Sequence, residues 1–179
     1  MFMTLIGYRG TGKSTIAPRL ASRLNFDWVD ADVEIENQTG RTIREIFATD
    51  GEPTFRQIER DVLVSLLKRP RLVLAAGGGA ILNEATRNDF RAAGPVIWLK
   101  ASVDTIARRI LRDGSTTAHR PSLTGLSGLE EIQLLVAQRE SFYRECASVI
   151  VESEGASIES VTQQIIAKLP AEYRQEHRR

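Results

Sequence analysis

The chain has 179 residues, 42% of them hydrophobic and 26% charged, with a formal net charge of +1. That length and mix fit one globular domain and exclude a disordered or fibrous chain, and the near-neutral balance supplies no whole-chain field for nucleic acid or an anionic membrane. A single cysteine, Cys146, excludes an internal disulfide and lacks the Cys or His neighbours of a zinc site. Reduced cysteine usage, the lack of an apolar run of roughly 18–20 residues and a phosphate motif too early for a signal peptide make the cytoplasm the expected compartment.

The chain opens on an apolar run, FMTLIG, expected as a strand. After Lys13, Ile16, Leu20 and Leu24 recur four apart on one helical face. Pro18 falls in the first turns of that helix, where a lost N–H matters least, and is expected to be tolerated. FDWVDAD supplies a second strand ending in acidic residues; RTIREIFATDG and EPTFRQIERDVLVSLLKR follow as helices, broken at Gly51 and restarted at Pro53. RLVLAA, a third strand, runs into Gly77, Gly78 and Gly79, and NEATRNDFRAA is helical ahead of a fourth strand, PVIWLK. SVDTIARRIL and LEEIQLLVAQRESFYREC are helical and bracket a polar stretch from Arg112 to Gly128, expected as a flap. SVIVES gives a fifth strand, IESVTQQIIAKL a closing helix, and PAEYRQEHRR a polar tail expected to fray. Such alternation favours a parallel sheet with crossover helices.

GYRGTGKST, Gly7 to Thr15, lies between the first strand and the first helix and satisfies G-x-x-x-x-G-K-[ST] through Gly7, Gly12, Lys13 and Ser14. Glycines let the backbone curl so that N–H groups face inward, and the helix adds its positive end to the same anion cavity. Lys13 is placed to reach the β- and γ-phosphates and Ser14 to ligate Mg²⁺. Asp30 and Asp32 point the same way if the extended conformation continues; one can serve the Mg²⁺ shell and the other accept a proton from an acceptor hydroxyl. Asp32, ahead of VEIEN, equally suits a helix N-cap. The triple glycine is either a second anion-binding turn or a tight connection. Arg56 can pair with Glu59 one turn on, and both Arg56 and Arg139 read in isolation as solvated helix faces. Arg108, Arg109 and His119 read as surface residues. Arg112 and Arg120, in the flap, are cations that closure could bring to a transferring phosphoryl group.

GYRGTGKST, DADVEIENQTGRTIREIFATDGEPTFRQIE, GGGAIL, HRPSL and AQRESFYRE, in this order from Thr4 to about Lys168, resemble the shikimate kinases, a family of the nucleoside-monophosphate-kinase-like P-loop group. The resemblance implies an α/β P-loop NTPase whose five-stranded parallel sheet, order 2-3-1-4-5, is flanked by helices. It implies one domain over 1–179: core at 1–32, 70–110 and 126–170, a helical substrate-binding insertion at about 33–60, a lid at about 112–124 and a polar tail at 171–179. The implied reaction transfers the γ-phosphoryl group of ATP, the co-substrate, to the 3-hydroxyl of shikimate. One Mg²⁺ per subunit, a monomeric state and no nucleic-acid or membrane partner go with it.

The resemblance also distributes roles. Gly10, Thr11, Gly12, Lys13, Ser14, Thr15 and Arg120 would bind the nucleotide, and Ser14 and Asp30 the metal. Asp32, Arg56, Gly78, Gly79 and Arg139 would hold shikimate, with Glu59 orienting Arg56; Lys13, Asp32 and Arg120 would carry the chemistry. Pro18 and Ser122 stand where the family usually has a glycine and an apolar residue, and Glu152 to Ser157 lack the basic residue often found near the adenine. A kinase of another hydroxylated acid, such as gluconate, is the nearest alternative on the same fold. A binding module without catalysis would have lost one of Lys13, Asp30, Asp32 or Arg120, and all are present.

Overall fold

A computed structural model describes residues 1–112 and 128–174. Of the expected lid at 112–124 only Arg112 is included; Arg120, His119 and Ser122 lie outside the described residues.

β1 (Phe2–Ile6) is buried along its whole length because it is the central strand. β2 (Asp27–Asp30) and β3 (Leu72–Ala75) lie to one side of it, β4 (Val96–Lys100) and β5 (Val149–Glu152) to the other. Every pairing is parallel, in the expected order β2-β3-β1-β4-β5, with Phe2 opposite Leu72 and Ile6 opposite Trp98. The three inner strands are apolar on both faces, as a sheet covered on both sides requires, whereas the outer β5 alternates buried Val149 and Val151 with Ile150 and Glu152.

α1 (Lys13–Leu24) buries Ile16, Ala17, Leu20 and Leu24 and runs on through Pro18, which removes only the N–H that would meet the Ser14 carbonyl. α2 (Ala31–Thr39) begins where β2 ends, capped by the Asp30 carboxylate, which accepts the Asp32 N–H at 3.0 Å. The extended conformation therefore stops short of Asp32, and the capping residue is Asp30. A carboxylate at the turn satisfies a helix N–H that a continued strand would leave without a partner. α3 (Ile43–Leu66) is two helical segments meeting at Gly51, where φ 81° and ψ 172° suit glycine alone. A capping box of Thr42 and Glu45 starts the first segment, and Pro53 stands at the start of the second.

After β3 a single 3₁₀ turn (Ala80–Leu82) precedes α4 (Glu84–Ala93). Among the described residues α5 (Val103–Arg112), α6 (Gly128–Cys146), α7 (Ile158–Lys168) and the short α8 (Ala171–Arg174) follow. The start of the tail does not fray: Tyr173 of α8 is buried and its hydroxyl donates to the Phe2 carbonyl at 3.0 Å. One aromatic ring gives the segment a core contact that its otherwise polar composition hides.

Side chains alternate across the sheet. Phe2, Ile6, Leu74 and Trp98 face a layer shared with α3, α4 and α6, while Met3, Leu5, Val73 and Leu99 face one shared with α1 and α7. Burial of each such side chain contributes about 1.5–3 kcal/mol, so both layers hold the sheet flat against its helices. A smaller cluster of Tyr8, Ile106, Ile110, Ile132 and Leu135 ties α5 and α6 to the loop after β1. All the loops that leave β1, β2 and β3 emerge at one edge of the sheet, the position where open α/β folds take their ligands. Among the described residues no helix is long and apolar enough to cross a membrane.

Candidate active site

The loop from Gly7 to Gly12 turns β1 into α1 through three residues with positive φ: Gly7 at 140°, Gly10 at 78° and Gly12 at 101°. At Gly7 a side chain is excluded twice over, since a Cβ would stand 2.5 Å from the Leu99 carbonyl oxygen. Gly12 caps α1 without a side-chain hydrogen bond, which leaves the N-terminal N–H groups of the helix available to an anion. Thr11 braces the curl by donating from its hydroxyl to the Tyr8 carbonyl at 2.8 Å. Lys13 is buried and turned back on the loop, donating to the carbonyls of Gly7 at 2.8 Å and Tyr8 at 2.9 Å. These residues open onto a cavity of about 600 Å³, whose wall also includes Asp30, Asp32 and Gly78.

Asp30 and Asp32 both reach this cavity although they are not paired along a strand. The helical turn brings the second carboxylate round beside its capping neighbour. Ser14 Oγ donates to Asp30 Oδ2 in a short hydrogen bond, so a hydroxyl and a carboxylate face each other at the mouth of the phosphate loop. Two hard oxygen donors of this kind suit Mg²⁺, which commonly takes one or two protein ligands and completes its shell with phosphate and water. Among the described residues there is no cluster of three or more His, Cys, Asp or Glu that could hold a metal ion.

The expected acceptor residues gather around the turn after β3. Gly78 packs against the phosphate loop, where a Cβ would meet Arg9 N and Gly7 O at 3.4 Å. Its carbonyl accepts from the Tyr143 hydroxyl at 2.6 Å and from Arg139 Nη1 at 3.4 Å. Arg139 is no solvated face: it is buried on α6, its guanidinium 5.6 Å over the Tyr8 ring. Arg56 and Gly79 line a neighbouring cavity of about 450 Å³ together with Glu52, Glu59 and Arg60. Burial works against the Arg56 charge, but Glu59 and then Glu52 outweigh it and hold its pKa above the ordinary arginine value. The acceptor set is thus divided, Asp32 and Gly78 on the larger cavity and Arg56 and Gly79 on the smaller, with adjacent glycines as the seam.

Arg109 was expected at the surface, yet it lines the nucleotide-side cavity. Its guanidinium donates to the carbonyl of Gly10 at 3.2 Å and to that of Ser153 at 2.7 Å, joining the phosphate loop to the segment after β5. The signal was its place beside Ile106 and Ile110, at the margin of the apolar face of α5. Arg112, by contrast, is exposed.

A parallel sheet in this order, a glycine-curled phosphate loop before the first helix and a second cavity beside it that is walled in part by charged side chains define a P-loop kinase of small molecules. The shikimate kinase family profile matches residues 9–170. A shikimate kinase of Nitrobacter winogradskyi is 43% identical over 93% of this chain and 76% of its own, and one of Rhodopirellula baltica 38% identical over 93% and 89%. The solved shikimate kinase of Acinetobacter baumannii, in complex with shikimate, superposes with a TM-score of 0.86 at 35% identity, covering 92% of this chain and 90% of that one. The chain belongs to the shikimate kinase family. Its reaction is the ATP-dependent phosphorylation of shikimate, a step of the shikimate pathway.

Proposed function

We propose that the two cavities divide this reaction between them, the phosphate loop holding MgATP and the Gly78 to Gly79 turn holding shikimate at its flank. The observation that carries this reading is the direct packing of Gly78 on Gly7 and Arg9, which sets the donor and acceptor halves side by side. Lys13 exchanges its bonds to the Gly7 and Tyr8 carbonyls for the β- and γ-phosphates, and Gly10 to Thr15 supply N–H donors. Ser14 and Asp30 would hold one Mg²⁺ per subunit, which supplies charge neutralisation at the phosphates. Arg56, Arg139 and the Gly78 and Gly79 backbone take the shikimate carboxylate, and paired guanidinium donors suit a planar carboxylate. Asp32, on the wall between the two ligands, orients the ring hydroxyls and accepts the 3-hydroxyl proton as the phosphoryl group is transferred in line. Arg120, expected from the sequence, adds the second cation at the transferring group. The same reading makes the protein a cytoplasmic monomer without nucleic-acid or membrane partners.

A coupled ADP-release assay with shikimate, quinate and gluconate, with and without Mg²⁺, tests it. Turnover is expected with shikimate and Mg²⁺ only, and R139A should raise the KM for shikimate at least tenfold while leaving that for ATP nearly unmoved. Equal rates with gluconate, or a selective loss of ATP affinity in R139A, would contradict it.

A further inference from the structure

Two carboxylates share the Arg56 guanidinium, which lies against Gly79. Its Nη1 donates to Glu59 Oε2 at 2.8 Å, while Nε and Nη2 both donate to Glu52 Oε1, at 3.1 and 2.9 Å. The remaining end of the fork points at Gly79: a Cβ there would stand 2.5 Å from Nη1 and 2.6 Å from Nη2, closer than the 2.8 Å to Cζ. A guanidinium has five N–H donors in one plane, and Glu52 and Glu59 take three of them, two along the Nε and Nη2 edge. A carboxylate ligand can take that edge side-on only if Glu52 leaves it.

The neighbours differ in how readily they yield. Gly79 is backbone held in its turn, with Leu82 N–H bonded to its carbonyl at 3.0 Å. The Glu59 side chain is only 4% exposed and has nowhere to go without carrying charge through the core. The Glu52 side chain is 46% exposed and sits where the helix restarts after Gly51, so it can turn into water at little cost. We infer that Glu52 is a resident competitor, a carboxylate that occupies the Nε and Nη2 edge of Arg56 until the carboxylate of the acceptor takes its place. This rests on Arg56 being a ligand of the shikimate carboxylate.

Two consequences follow for the acceptor. Its apparent affinity is lowered by the fraction of molecules in which Glu52 holds the edge. An acceptor without a carboxylate does not contest that edge and leaves Glu52 in place, so the competition weakens only acceptors that carry the carboxylate. Glu52 is therefore a residue that tunes acceptor affinity through Arg56.

The test compares E52Q and E52S, the second keeping a side chain suited to a helix start, with the unaltered enzyme on shikimate and on its neutral methyl ester. The KM for shikimate is expected to fall about two- to fivefold, the scale of an exposed ion pair, with kcat and the KM for ATP unchanged. The kcat/KM for methyl shikimate should not improve. An unchanged or raised KM for shikimate in both variants overturns the inference, and so does an equal gain with the ester. R56Q separates the layers: if it leaves the KM for shikimate unchanged, the assignment of Arg56 fails and this inference with it. If R56Q raises that KM while neither Glu52 variant lowers it, Arg56 stands and only the competitor falls.

Discussion

Tyr8 serves both halves of the site at once. Its carbonyl receives Lys13 and Thr11, and its ring lies beneath the Arg139 guanidinium. The aromatic face helps hold the cation in a buried setting, and among the described residues no carboxylate forms an ion pair with Arg139, whose Nη1 donates to the Gly78 carbonyl. Thr4 is a contrasting residue. It is fully buried in the central strand, and its hydroxyl has no hydrogen-bond partner among the described residues. An orphaned buried hydroxyl is a net cost, so T4V, of nearly equal volume, should raise stability by about 1 kcal/mol in urea titration at unchanged m-value. A loss of stability would mean the hydroxyl is satisfied in solution. Neither property was legible in the sequence. A threonine within FMTLI reads simply as strand, and the Tyr8 and Arg139 contact joins residues distant in the chain through packing alone.

At the scale of elements the sequence was more transparent. The five strands, the helices α1 and α3 to α7, the phosphate loop between β1 and α1 and the break at Gly51 were expected and are found, whereas α2 and α8 were not among the expected helices. Each expected feature is encoded locally, by short continuous apolar runs for the inner strands, by period-3.6 apolar spacing for the helices or by glycine. What local pattern could not give was where β2 stops, because Asp30 can end a strand or cap a helix, and only the α2 contacts of Ile35 in the core decide. The faces of Arg109 and Tyr173 were hidden for the same reason, since a polar composition does not say which single side chain turns inward. Gly51 carries a consequence for the site. G51A forces a Cβ into a conformation that costs about 1–3 kcal/mol, although the space itself is open, with Pro53 Cδ at 3.7 Å. Because the segment bearing Glu52 and Arg56 begins at this kink, G51A should lower thermal stability and raise the KM for shikimate while sparing that for ATP. Wild-type acceptor kinetics in a destabilised G51A would detach the kink from substrate binding.

Across the whole molecule, pH sets limits from both sides. Burial pushes the Cys146 thiol up from 9.0 to about 11, and burial likewise raises Tyr8 and Tyr173 above 10.0. Above pH 9 the unfolded chain therefore sheds protons that the folded one keeps, and stability falls as pH rises toward 11. On the acid side, Glu45 is held below 4.5 by the Thr42 N–H and Glu154 by the Thr105 hydroxyl. Their contributions are complete above pH 4.5 and are lost as pH falls through the lowered folded values. Urea midpoints measured across pH should show a plateau bounded by these two declines. Within it, a thiol reagent at pH 8 should label Cys146 only when denaturant is added; rapid labelling of the native enzyme would refute the burial of that residue.

The hydrogen bond from Tyr173 to Phe2 seals α8 onto the beginning of β1. β1 spans about 17 Å from that seal to the phosphate loop, so the seal and the candidate site occupy opposite rims of the sheet. Ligand entry at the candidate site and the fastening of α8 thus never compete for the same surface. A tether or fused partner attached near the seal hangs from the rear of the molecule and leaves the entrance clear.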